Sequence, residues 1–499
     1  MELIIDCYTD EPSGIGAPPY LSVHSRYLAG AFKEKEVDYQ YINIDDLRYI
    51  NGEPEQISNS LNKRVINRVA AGKAQDYLDA ANNLYVVMGC FVDYNYVSCE
   101  PPSFKEIDQL LGRYKGKNIV LMYALGSNII TKEKLTKTLP KGLFSTIVFG
   151  NGYNNILTGA IDDFQPHYDK LKNIAILSAD IINKLKRPLI MEIESATGCN
   201  RKPGCKFCIE NLRGLPNTSR DSDDIVAEIK ALHDGGARYF RIGRQPNFYS
   251  YQGSNPQAVE RLFRDIRSEC PDLRTLHIDN VSPHNVNTPE GREISALVAR
   301  YCTSGNIAPF GVESFDETVR QANNLNGSID DILQSIKILN EVGVQQDEQG
   351  TRRFLPGLNL IYGLEGQSKN TIQKNLKRMK DILQDDYVRR VFVRNLTSPH
   401  GEQFGEGDKS FFEEWKKTIE KNFSLPMLKK VYPQGTVLRN ERVEMIDNGN
   451  SILRQMGTCP ERIVIKKKEL NLDKTYTVRV KDYIDHRTME GELMCKESE

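Results

Sequence analysis

The stretch PLIMEIESATGCNRKPGCKFC, residues 188–208, decides how this chain is read. Its first eight residues, Pro188 to Ser195, have the apolar density of a buried strand, and the chain then turns into a loop carrying Gly198, Pro203 and Gly204. That loop holds Cys199, Cys205 and Cys208, three of the chain's ten cysteines. Thiolates this close on a glycine- and proline-containing loop can converge on one centre, and cysteines of a reducing compartment hold metal more readily than they form disulfides. A structural zinc normally takes four ligands, and no fourth cysteine or histidine lies nearby in sequence. A 4Fe-4S cluster held by three thiolates leaves one iron open to a substrate or cofactor. A zinc knuckle with a distant ligand, or three unconnected thiols, are the plainer alternatives.

Working outward, five further strand candidates follow PLIMEIES: ARYFRIG, TLHIDNV, NIAPFGVES, GLNLIYG and RRVFVRNL. Helical periodicity separates them. In DSDDIVAEIKALHDGG, Ile225, Ile229 and Leu232 recur at helical spacing, Ser222 is the expected cap, and Gly235 and Gly236 end the run. Six such units predict a partial (βα)6 barrel, in which chemistry sits at the C-terminal ends of the strands. The cysteine loop directly follows the first of them.

Toward the N-terminus, ELIIDCY, VDYQYINI, NLYVVMGC, KNIVLMYAL and STIVFGNG alternate with polar helical stretches, the pattern of an α/β, doubly wound, Rossmann-like parallel sheet. Toward the C-terminus, TVLRNERVEMI, SILRQMG, RIVIKKKEL and TYTVRVKDYI are separated by turns, which predicts a small OB-like β-barrel. The expected division is 1–165 for the first domain, 166–186 for a linker, 187–428 for the partial barrel and 429–499 for the small β-barrel.

With 66 basic and 67 acidic residues the formal net charge is -1, so no basic field points to nucleic acid. No run approaches the roughly 18 apolar residues of a membrane span, and the N-terminus lacks a leader pattern. The expectation is a cytoplasmic protein with neither membrane nor nucleic acid as partner.

From Pro188 to Phe423 the sequence resembles the radical S-adenosylmethionine (SAM) enzymes, in which a three-cysteine cluster leaves an iron for SAM. The family's usual gaps are three and two residues; here they are five and two, with Phe207 before the last cysteine. The resemblance implies a 4Fe-4S cluster on Cys199, Cys205 and Cys208, with SAM contacts at Gly243, Arg244, Gln245, Asp279, Glu313, Ser314 and Asn359. Gly243-Arg244-Gln245 stands where the family usually has a Gly-Gly-Glu-like segment. Tyr249, Tyr251 and Tyr362 are the candidates for orienting groups or carrying electrons.

An α/β domain ahead of such a barrel resembles the cobalamin-dependent branch, which implies cobalamin near Pro18, Pro19, Tyr20, Asn128, Gly150, Asn151 and Gly152. The D-x-H-x-x-G motif of other cobalamin proteins is absent, so no histidine from it would reach cobalt. More narrowly, ESATGCNRKPGCKFCIENLRGLPNTSRDSDDI, RYFRIGRQPNFYSY, LHIDNVSPHNV and LRQMGTCP resemble a group of archaeal, methanogen-associated radical SAM proteins. That group includes the methyl-coenzyme M reductase glutamine C-methyltransferase. The resemblance implies hydrogen abstraction from an unactivated sp3 carbon, the glutamine Cα of the methyl-coenzyme M reductase alpha chain, then methyl transfer from methylcobalamin, with an external electron donor. Two alternatives stand beside it: a methylthiotransferase with a second cluster at Cys7, Cys90 and Cys99, and a non-catalytic iron-sulfur carrier or scaffold.

Overall fold

The apolar run ELIID forms β1, Glu2–Asp6, and all five of its residues are buried, as a strand covered on both faces requires. In the computed structural model the described residues are 1–11, 14–15, 19–52, 56–58, 63–65, 69–70, 72–89, 100–124, 139–208, 210, 215–396 and 409–496. They form two units. The first takes residues 1–198, 212–240 and 268–273, and the second 199–211, 241–267 and 274–499.

In the first unit, β1 is joined by β2 (Tyr39–Asn43), β3 (Asn83–Met88), β4 (Asn118–Tyr123), β5 (Thr146–Gly150) and β6 (Asp162–Asp163). The sheet order is β6-β5-β4-β3-β1-β2, and every pairing is parallel. The doubly wound expectation holds, with the two-residue β6 added at one edge. The order reverses between β1 and β3, the kind of point where such sheets open a crevice beyond the carboxyl ends of their strands.

Helix α1, Val23–Glu34, starts at Ser22, whose side chain accepts from the His24 amide. Just before it, Tyr20–Leu21 pairs in parallel with β7, Ile190–Glu194, the strand that leads to the cysteine loop. Helix α2, Ser222–Asp234, buries Ile225, Ile229 and Leu232 as its periodicity predicts. Its cap is Asp221 rather than Ser222: the Asp221 carboxylate accepts from the Asp223 amide, and Ser222 is the first helical residue.

Strand β8, Tyr239–Gly243, passes from the first unit into the second, which continues with β9 (Thr275–Ile278), β10 (Asn306–Glu313), α3 (Glu317–Ala322), α4 (Ile329–Gly343), β11 (Phe354–Tyr362), α5 (Lys369–Asp385) and β12 (Arg390–Asn395). Strands β10, β11 and β12 pair side by side in parallel. The Asp279 amide, just after β9, donates to the Ile242 carbonyl of β8, and Val281 bridges to Phe310 of β10. All the strand ends that carry the implied SAM residues therefore belong to this unit.

The C-terminal strands are β13 (Val437–Asp447), β14 (Asn450–Arg454), β15 (Arg462–Ile465), β16 (Thr475–Asp485) and β17 (Thr488–Lys496). They close as β13-β14-β15-β17-β16, and β15 and β17 pair in parallel. The five-stranded closure is OB-like. The glutamate-rich fifth strand, β17, is not among the four runs expected from sequence. Among the described residues no helix is long and apolar enough to cross a membrane.

Candidate functional site

Cys199, Cys205 and Cys208 are half-buried on the loop that opens the second unit. Cys205 and Phe207 pack against a core of Val319, Leu325, Leu364 and Leu396, which anchors the loop. Burial pushes the Cys205 thiol up, against the pull of the Arg201 guanidinium, and pushes Cys208 up to about 12. Both are neutral thiols near pH 7, and metal coordination is what would deprotonate them. Cys208 senses Cys205 and Cys199 electrostatically, and Cys205 senses Cys199. Among the described residues no three His, Cys, Asp or Glu side chains gather as a single-ion site. A cluster spreads its thiolates over separate iron atoms, so its ligands stand wider than those of one ion.

The five-residue gap carries a group that the spacing does not reveal. Arg201 Nη1 donates to Cys205 Sγ at 3.0 Å, while the same guanidinium donates to the carbonyls of Asn324 and Leu325. Arg201 thus fixes the loop and supplies a cation to one of its sulfurs. A donor on a cluster sulfur is one of the levers a protein has on reduction potential.

Glu313 closes β10 at an irregularity: the register against β11 shifts between Gly311 and Glu313, and Glu313 itself has φ +57°. Bulges of this kind re-aim side chains beside functional sites, and a non-glycine residue in the left-handed region carries strain. Gly311 leaves the room needed, since a Cβ there would lie 3.2 Å from Glu313 Oε1. Glu313 Oε2 is sealed from solvent and, among the described residues, has no hydrogen-bond partner. Burial lifts this carboxyl to about 8, although Arg394 and Arg320 both pull it down. Glu313 and Cys205 also influence each other electrostatically. An orphaned acid beside the thiol loop is a fitting seat for the cationic part of SAM.

Ser314 is buried and serves the backbone: its hydroxyl accepts from the Asp316 amide and donates to Asn375 Oδ1. Arg320 gathers the carbonyls of Val312, Ser314, Asn326 and Gly327, tying the end of β10 to the loop after α3. Asn359, half-buried on β11, is the register partner of Gly311, one pair before Glu313 and Leu360.

At the end of β8, Gly243 is followed by Arg244 at φ +62°, another strained position where the family resemblance has glycine. Gln245 is buried and its Nε2 donates to the Ile242 carbonyl at 3.3 Å. Asp279 is buried 3.4 Å from Arg241 Nη1. Burial raises its carboxyl and Arg241 opposes that rise. Tyr249 is wholly buried with its hydroxyl 2.8 Å from Ser295 Oγ, and burial lifts its phenol. Tyr251 stacks on Phe248, and Tyr362 packs among Phe411, Phe412 and Trp415. These contacts place all three tyrosines in aromatic or polar packing.

Of the residues implied for cobalamin, Pro18 and Asn128 lie outside the described residues. Pro19 is buried and its carbonyl accepts from the Ile190 amide, and Tyr20 belongs to the short strand on β7. Gly150 has φ +84°, and a Cβ there would meet the Asp163 carbonyl oxygen at 2.1 Å. Its missing side chain therefore answers to the neighbouring strand. Asn151 Nδ2 donates to the Gln165 carbonyl, and Gly152 starts a helix against Met122. All of these residues are engaged by their own chain. Cys7 is buried, and Cys90 and Cys99 lie outside the described residues.

The model of the Radical SAM superfamily matches residues 193–379. The chain is 35% identical to the uncharacterized protein MJ0274 of Methanocaldococcus jannaschii, over 99% of this chain and 93% of that protein. It is 30% identical to an uncharacterized protein of Archaeoglobus fulgidus, over 97% and 88%. More distantly, a tRNA-2-methylthio-N(6)-dimethylallyladenosine synthase of Acinetobacter baylyi is 23% identical over 62% of this chain and 64% of that one. Among solved structures, the radical S-adenosylmethionine methyltransferase TsrM of Kitasatospora setae superposes with a TM-score of 0.51 at 13% identity, covering 80% of this chain and 74% of that one. OxsB, a cobalamin-dependent S-adenosylmethionine radical enzyme, gives 0.52 at 10% identity, over 76% and 51%. These two likenesses are of fold.

Proposed function

We propose, on the premise that this chain belongs to one family with the Methanocaldococcus jannaschii and Archaeoglobus fulgidus relatives and is a radical SAM enzyme, that it is a cobalamin-dependent C-methyltransferase. Its substrate is an unactivated sp3 carbon of a peptide or protein, the glutamine Cα of the methyl-coenzyme M reductase alpha chain in the most specific form of the proposal. The observation that carries the radical SAM part is the pairing, within one unit, of a three-thiol loop with the orphaned acid of Glu313 at a bulged strand end. Bound together, a 4Fe-4S cluster, SAM and methylcobalamin supply a reductively generated radical for an inert C–H bond and a methyl group to replace its hydrogen.

The chain's own residues do the rest. Cys199, Cys205 and Cys208 are the donor set for the cluster, and Arg201 holds Cys205 through its sulfur. Glu313 receives positive charge, Gly311 gives it space, and Arg320 keeps the end of β10 from relaxing. The cobalamin part rests on the sheet order, whose reversal between β1 and β3 is the kind of point where such sheets take ligands, and on the resemblance to the cobalamin-dependent branch. Pro19, Tyr20, Gly150, Asn151 and Gly152 are already spent on protein contacts.

The test is anaerobic reconstitution followed by metal and corrinoid analysis and then mass spectrometry of a reductase-derived peptide. The proposal expects one corrinoid and about four iron per chain, and a peptide heavier by one CH2 at its glutamine. Absence of corrinoid with roughly eight iron per chain would favour the methylthiotransferase reading. An unmodified peptide while SAM is being cleaved would leave the C-methyltransferase without this substrate.

A further inference from the structure

The turn after α3 presents its backbone carbonyls in sequence, and those of Asn323 to Gly327 each receive a donor. The Lys206 amide, inside the cysteine loop, donates to the Asn323 carbonyl at 3.1 Å. Arg201 donates to the next two, Asn324 and Leu325, and Arg320 to Asn326 and Gly327. Side chains fix the same turn: Asn323 Nδ2 donates to the Glu365 carbonyl at 2.9 Å, and Asn326 Nδ2 to Ser282 Oγ at 2.7 Å. A ledge held on so many sides gives the Arg201 guanidinium a fixed seat.

From that seat Arg201 Nη1 also reaches Cys205 Sγ at 3.0 Å. Its partners among the described residues are this sulfur and two carbonyls, and none is a carboxylate that would cancel its charge. Cys205 packs against Val319, Leu325, Leu364 and Leu396, an apolar surround in which a cation acts on its neighbour with less screening than in water. The Lys206 amide and the two carbonyl bonds already tie the loop to the turn. The bond to sulfur adds something a tie does not need: a positive charge on a group whose own charge changes when a bound cluster is reduced.

We propose that Arg201 is a positioning residue that fixes its charge on the Cys205 sulfur and so raises the reduction potential of the cluster; the proposal rests on the radical SAM reading above. In the step concerned, one electron passes from a low-potential one-electron donor to the cluster, and no covalent bond forms or breaks. The added negative charge is shared with the iron-bound sulfurs, so a cation donating to one of them favours the reduced state. The long gap between the first two cysteines serves this, because it lets residue 201 leave Cys199 and turn back on Cys205.

Potentiometric titration of the anaerobically reconstituted full chain, without SAM and followed by electron paramagnetic resonance of the reduced cluster, tests this against R201Q and R201K. Both variants lose the fork that serves two carbonyls and a sulfur at once, but only R201Q loses the charge. At the parent's midpoint the ratio of reduced to oxidised cluster is expected to fall about tenfold in R201Q, which is about 59 mV for one electron, and by less than about threefold in R201K. An unshifted R201Q, or equal falls in the two variants, overturns the proposal. So does an R201Q chain that takes up no iron where the parent does, since the residue is then a brace for the loop. A parent chain that itself takes up no cluster refutes the radical SAM reading, and the proposal goes with it.

Discussion

Glu313 shows what a single side chain contributes. Its carboxyl titrates near 8 because it is buried, against an ordinary value of about 4.3. At pH 7 the ligand-free protein therefore holds it neutral, and between those two values the folded chain binds more protons than the unfolded one. Stability from this group is full below the ordinary value and is lost as pH rises through 8. A cationic ligand reverses the preference, because positive charge beside Oε2 favours the carboxylate. SAM binding at pH 7 should then release up to one proton, and affinity should rise from mildly acidic pH to about 8 and level off. Titration calorimetry in two buffers of different ionisation heat counts the proton, and E313Q should abolish both the release and the pH slope. Heats independent of buffer would remove Glu313 from the SAM site. The residue itself is legible in GVESFDETV; its isolation is not, because a bulge depends on the register with β11. Arg201 is illegible for a similar reason. A gap of five residues gives no sign that one of them turns back onto a sulfur.

Among elements, the end of β10 is held by one side chain. Arg320, on α3, donates to four carbonyls: those of Val312, Ser314, Asn326 and Gly327. A lysine has the charge but not the fork, and cannot serve two pairs of acceptors at once. R320K should cost roughly 2–4 kcal/mol, the worth of one or two charge-assisted hydrogen bonds with their acceptors left buried. Chemical denaturation measures this, and SAM cleavage should fall with it because the bulge loses its anchor. Full stability in R320K would mean that the strand end is held by packing alone. The elements were largely readable: helical period marked α2, and apolar runs marked β1 to β5 and β7 to β12. Missed were those too short or too polar to carry a pattern. Tyr20–Leu21 has two residues, β6 is Asp162–Asp163, and β17 breaks its apolar residues with Glu490, Gly491 and Glu492. The cap of α2 moved by one residue because Asp221 and Ser222 are both good caps and only geometry chooses between them.

For the molecule as a whole, long-range architecture rests on charges that a sequence presents as surface. Residue 26 is far in the chain from residues 220 and 228, and nothing in their neighbours marks them as interior. Yet Arg26 and Arg220 converge on Glu228 in the first unit, at 2.8 Å and 2.6 Å, with all three side chains buried. Arg26 also donates to Ser178 Oγ and to the Glu192 carbonyl of β7, and Arg220 to the Glu194 carbonyl, so the triad grips the strand that leads to the cysteine loop. Burial works to raise the Glu228 carboxyl, but the two guanidinium groups prevail and hold it below its ordinary value. The sign follows: its stabilisation is present above the ordinary carboxylate range and is lost as pH falls through the depressed value. At pH 7, E228Q leaves two buried cations sharing a neutral amide. It should destabilise the first unit by roughly 3–5 kcal/mol, as when one partner of a buried ion pair is removed. Replacing all three residues with apolar side chains of similar volume should recover most of that loss, because no charge is left stranded. Denaturant midpoints of the single and triple variants, compared at pH 7, decide the matter. A triple variant as unstable as E228Q would show that the hydrogen bonds to β7, rather than the charges, hold this strand in place.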